Sequence, residues 1–145
     1  MAYDTFKKYV EDSRIQVDII VTSEPTKTAV QAAQVHNVPV SNIVKSLLVK
    51  IDGGYKLFLV PGDKRLDLEK LAMRFGTDDI RMANADEVKD VTGYSIGGVP
   101  PFGHKHKLET YIEEGFDSTR ELIAAGGAGN AVFRITLAYL KEIIT

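Results

Sequence analysis

The chain has no cysteine, so disulfides, thiol nucleophiles and thiolate metal sites are all excluded. It also has no tryptophan, and aromatic residues make up 8% of the chain. No apolar run approaches the ~18 residues of a membrane span. The N-terminus places Asp4, Lys7 and Lys8 where a signal peptide would be apolar, which points to a cytoplasmic protein. Strong charge of either sign is missing as well: the net charge is −2, which argues against a general nucleic-acid coat but leaves room for a local basic groove. What remains is 145 residues, 44% hydrophobic and 26% charged, enough for one domain with a real core.

Prolines are few, five in all, yet two of them stand side by side in Thr92-Gly-Tyr-Ser-Ile-Gly-Gly-Val-Pro-Pro-Phe-Gly-His104. With four glycines in the same stretch, it is neither helix interior nor central strand. Such a loop is both permissive and stiff, which suits backbone N–H groups presented to a substrate. An ordinary surface connection fits the composition equally well.

Periodicity supplies the frame. Residues 4–13 read as a helix with Phe6 and Val10 on one face, Val17 to Val21 as a strand, and 27–36 as an alanine-rich helix ended by Asn37 and Pro39. Asn42 to Asp52 alternates as a strand that puts Lys45 on the same face as Ile43, Leu47, Val49 and Ile51. A lysine there either reaches the sheet edge, pairs with a buried carboxylate, or points into a pocket holding something negative. Asp52-Gly53-Gly54 turns the chain into a second strand, Tyr55 to Val60. Asp67 caps a helix with Leu68, Leu71 and Phe75 on one side, and Asn84 with Glu87 forms a capping box for another that Gly93 closes. Glu109 to Glu113, Arg120 to Ala125 and Ala131 to Ile135 read as strands, and Thr136 caps a last helix. The fold class is α/β (α+β): one domain over residues 1–145, a mixed, curved β-sheet flanked by helices.

Three motif matches fail on context. Gly93-x-Ser95-x-Gly97 has the form of a nucleophile elbow, but a helix precedes it and prolines follow, so a serine hydrolase using Ser95 is a weak alternative. Gly127-Ala128-Gly129 lacks the third glycine of a dinucleotide fingerprint, with Val132 in that place. His104 and His106 stand in the run His-Lys-His-Lys, where repulsion disfavours a metal and phosphate contact fits better.

Taken together, Ile43-Val-Lys-Ser-Leu-Leu-Val49, Val60-Pro-Gly-Asp63, Leu66-Asp-Leu-Glu-Lys-Leu-Ala72 and the loop 92–103 resemble the YbaK/ProX family of aminoacyl-tRNA deacylases, related to the editing (insertion) domain of bacterial prolyl-tRNA synthetase. The resemblance runs from about Thr28 to the C-terminus. It implies a trans-editing enzyme that hydrolyses the ester of mischarged tRNA, chiefly proline tRNA carrying alanine, cysteine or another small residue. The implied partners are the tRNA 3′ aminoacyl end and prolyl-tRNA synthetase, with no membrane, no cofactor and no metal. It assigns Lys45, Gly97, Gly98 and Pro101 to catalysis. Ser46, Val99, Pro100, Phe102, His104, Gly126 and Gly127 are assigned to substrate binding. Some members specialised for cysteine carry an aspartate where this chain has Val132, which leaves the substrate open. A non-catalytic tRNA- or synthetase-binding module of the same fold is the alternative.

Overall fold

The computed structural model describes residues 2–145, and the order of its elements follows the periodicities closely. Helix α1 (Ala2–Asp12) leads to strand β1 (Ile19–Val21) and helix α2 (Ala29–His36). A 3-10 turn over Val40–Asn42 then feeds β2 (Ile43–Ile51), which returns as β3 (Gly54–Pro61). Helix α3 (Leu68–Phe75), strand β4 (Ile80–Met82) and helix α4 (Ala85–Thr92) follow. The chain ends with β5 (Glu109–Ile112), β6 (Glu121–Ala125), β7 (Ala131–Thr136) and α5 (Leu137–Ile144).

The caps form as their residue types require. Asp67 accepts the N–H groups of Glu69 and Lys70, and Asn84 and Glu87 bond reciprocally. Thr28 makes a second capping box with Gln31, so α2 begins at Ala29 rather than at residue 27. The first strand is shorter than Val17 to Val21, because only residues 19–21 find a partner, in β7. Strand β4 has no counterpart in the sequence reading; three residues are too few to show alternation, and it forms because β2 offers Val49 to Ile51 an open edge.

Among the described residues, seven strands make one mixed sheet in the order β1-β7-β6-β2-β3-β5, with β4 beside β2. The pairs β2–β6 and β3–β5 are parallel and the others antiparallel. Helices cover both faces, so β2 and β3 are buried on both sides. On one face Phe6, Val10, Val88, Leu137 and Leu140 from α1, α4 and α5 pack on Val44, Leu48, Leu57 and Leu59. On the other, Ala32 and Ala33 of α2 pack on Ile43, Ile123 and Val132, and Leu71 of α3 packs on Val49, Ile51, Phe58 and Val60. The odd residues of β2 therefore share the face of α2 and α3, as the alternation requires, and Lys45 lies among them. No helix among the described residues is long and apolar enough to cross a membrane.

Candidate functional site

The site begins with a break in the sheet. On the edge away from β3, strand β2 pairs with β6 only at Ile43 and Val44, and with β4 only from Val49 to Ile51. Strand alternation sends the backbone groups of Ile43 toward β3, where its carbonyl accepts the Gly62 N–H at 2.8 Å. Those of Leu48 face the other way, and its carbonyl accepts the Ala83 N–H at 3.0 Å. By the same alternation the N–H and C=O of Ser46 face the gap between β6 and β4. A cavity of about 440 Å³ occupies that gap. Its walls are mainly apolar and come from both sides of the sheet, among them Leu48, Val88 and Val99 from one and Ile43, Ile123 and Val132 from the other. Lys45 and Ser46 also line it, as do Ile96 and Gly97 at the tip of the glycine-proline loop.

That loop is held from four directions. The Thr92 hydroxyl donates to the Val88 carbonyl at 2.6 Å and accepts the Tyr94 N–H at 3.1 Å. The Tyr94 hydroxyl, pushed up to about 12 by burial, donates to the Gly103 carbonyl at 2.9 Å. Phe102 packs its ring against Phe6 and Phe133, with centroids 5.6 and 5.5 Å away. The fourth hold is His104, whose Nε2–H donates to the Pro100 carbonyl at 2.7 Å. Burial keeps this imidazole below its ordinary range, hence neutral near pH 7.

The backbone of the loop is selective in what it leaves open. The Gly98 N–H donates to the Ser95 carbonyl at 2.9 Å, and the Gly98 carbonyl accepts the Gly127 N–H at 3.0 Å. No acceptor among the described residues takes the N–H of Gly97 or of Val99. Gly98 sits so close to the second glycine turn that an added Cβ would stand 3.0 Å from the Ala128 Cα. Gly126 and Gly127 are buried behind the loop as a brace and do not line the cavity, whereas Ala125, the last residue of β6 before that turn, does. Pro100 and Pro101 are buried as well. Ser95 is exposed, follows a helix and precedes a turn, which is not the setting of a nucleophile elbow.

Lys45 reaches along the cavity wall and donates to the Lys64 carbonyl, in the connection between β3 and α3. Desolvation, and then Arg65, lower its pKa, while Asp63 opposes them. No carboxylate among the described residues bonds it, so the buried ion pair considered from the sequence does not form. Lysine has three donors, and two remain for a ligand.

Sequence reasoning missed part of this site. Thr26, Lys27 and Thr28 wall the cavity, and Met82 and Ala83 border it beside the unforeseen β4. Nothing local in the sequence marks the residues before α2 as part of a site.

Comparisons with known proteins agree with this architecture. A solved structure of a candidate trans-editing enzyme for prolyl tRNA synthetase superposes with a TM-score of 0.90 at 36% identity, covering 99% of this chain and 91% of that one. The uncharacterized protein YwhH of Bacillus subtilis is 32% identical over 126 residues, 86% of this chain and 80% of its own. Proline–tRNA ligase of Thermosipho africanus is 35% identical over 100 residues, 69% of this chain; the match spans only 18% of that synthetase. A family model, the aminoacyl-tRNA editing domain, matches residues 23–143, and the chain therefore belongs to the aminoacyl-tRNA editing domain family.

Proposed function

We propose that the chain is a trans-editing deacylase that hydrolyses the ester linking a wrong, small amino acid to the 3′ end of a tRNA, with proline tRNA as the favoured carrier. The observation that carries this reading is the apolar cavity at the break in the sheet, roofed by a loop in which the amide N–H groups of Gly97 and Val99, both cavity-lining residues, are among those no described acceptor claims. The amino-acid side chain enters the apolar part, and the Ser46 backbone facing the gap can bond the α-amino or carbonyl group. A water adds to the ester carbonyl carbon, and negative charge gathers on its oxygen. In this reading the Gly97 and Val99 N–H groups, left without an acceptor in the fold, receive that charge, and one such donor is typically worth about 3 kcal/mol of transition-state stabilisation. The bond from the carbonyl carbon to the ribose oxygen then breaks, that oxygen takes a proton, and the free amino acid leaves. The adjacent ribose hydroxyl of the substrate assists the water. No serine ester forms. Lys45 contributes positive charge at the wall and holds polar substrate atoms with its two remaining donors.

The direct test supplies alanyl-, cysteinyl- and seryl-tRNA made on proline tRNA and follows release of the amino acid. Release of at least one supports the enzyme; tight binding without any release would establish a recognition module instead. Lys45→Met should lower kcat/KM roughly 10- to 100-fold, the span expected for a lost charged hydrogen bond. Ser95→Ala should leave turnover intact, and the reverse pattern would refute the mechanism.

A further inference from the structure

We infer that Lys27 grips the phosphodiester that joins the last two nucleotides of the substrate's 3′ end. This rests on the deacylase reading and adds to it the residue that recognises the anion.

Lys27 is placed rather than merely exposed. The segment before α2 is tied to the turn between β6 and β7. There the Thr22 N–H donates to the Asn130 carbonyl at 2.9 Å, and the Thr26 N–H to the Gly129 carbonyl at 2.7 Å. The Asn130 side-chain amide returns a bond to the Thr22 carbonyl at 3.0 Å. Two glycines leave room for the lysine that follows. A Cβ on Gly97 would stand 2.9 Å from the Lys27 Cβ and 3.1 Å from its Cα. One on Gly129 would meet the Lys27 Cε at 2.7 Å and its Cγ at 2.8 Å. The side chain thus crosses Gly129 while its backbone presses on the loop that carries the free N–H groups.

Charge and access favour an anion at this point. Lys27 and Lys45 line the cavity, and no Asp or Glu does. The Lys45 amine is already engaged with the Lys64 carbonyl, whereas no carboxylate among the described residues lies within 4.0 Å of the exposed Lys27 amine. The apolar interior suits an amino-acid side chain and repels a phosphate, so the anionic group of an aminoacyl nucleotide stays at the mouth, where Lys27 stands.

The experiment compares two esters of one amino acid, on adenosine lacking any phosphate and on an RNA minihelix ending in CCA. Lys27→Ala should raise KM for the minihelix roughly tenfold with little change in kcat, and raise that for the adenosine ester several-fold less; Lys27→Arg should restore the minihelix value. The slope of log kcat/KM against log salt should become shallower by about 0.7, the share of one phosphate contact on a single strand. Equal losses on both esters, or none on either, would overturn the assignment. If the wild type binds the minihelix without hydrolysing it, the deacylase reading fails separately. Minihelix affinity of Lys27→Ala then decides the lysine's role, and unchanged affinity refutes it.

Discussion

Gly97→Ala tests the geometry of the loop where it is tightest. Gly97 has φ +90°, and an added Cβ would lie 2.9 Å from the Lys27 Cβ and 3.1 Å from that residue's Cα and carbonyl oxygen. Two costs follow: about 1–2 kcal/mol for an L-residue at positive φ, and about 1–3 kcal/mol for overpacking against backbone that cannot swing aside. Gly53→Ala is the matched control, since it shares the positive φ (+81°) but an added Cβ there meets nothing within 4 Å. A domain of this length has an unfolding entropy near the midpoint of about 0.3 kcal/mol/K. Thermal unfolding followed by circular dichroism should therefore show Gly53→Ala lower by roughly 3–7 °C and Gly97→Ala by roughly 7–17 °C. Activity should separate them further, because moving Gly97 displaces the N–H proposed as an oxyanion donor, a loss that typically costs about 100-fold in kcat, while Gly53 does not line the cavity. Equal losses of Tm for the two variants, with Gly97→Ala fully active, would refute the packing of the loop on Lys27.

Other perturbations have equally definite outcomes. His104→Ala should free the Pro100 carbonyl and lower kcat more than it raises KM, with His104→Gln recovering part of the loss by keeping a donor; equal activity of both would remove His104 from loop positioning. Because burial lowers the His104 pKa, its contribution to stability is complete above the unfolded value of about 6.5 and declines as pH falls below it, so Tm of the wild type should drop more steeply over pH 6.5 to 5 than that of His104→Gln. Glu87, bonded by Arg81, the Asn84 N–H and the Tyr55 hydroxyl, has its pKa strongly lowered. Its contribution is therefore present above the unfolded value near 4.3 and lost on acidification, and the Tm gap between wild type and Glu87→Gln should narrow below pH 4. Val132→Asp would put a carboxyl in the apolar wall, where the residue is 2% exposed. It should lower Tm more at pH 8 than at pH 5, since burial raises the aspartate pKa, and shift the ratio of cysteinyl to alanyl release; an unchanged ratio would exclude position 132 from amino-acid selection.

Local chemistry in the sequence determined most elements of this protein. Asp67, Asn84 and Thr136 each bring a side-chain acceptor to a helix start, and the alternation along residues 43–51 fixes which side chains share the face of Lys45. The stiff loop at 92–104 was legible for the same reason, since proline and glycine restrict the backbone wherever they stand. Tertiary structure alone decided the rest. β4 forms only because part of the β2 edge is left open, and the cavity exists because β6 and β4 claim different stretches of that edge. Lys27 stands at the site because residues about 100 positions later hold its segment in place. Which of the loop's N–H groups remain free depends on carbonyls brought near by the fold. These are pairings between distant residues, and no periodicity within a short window encodes them.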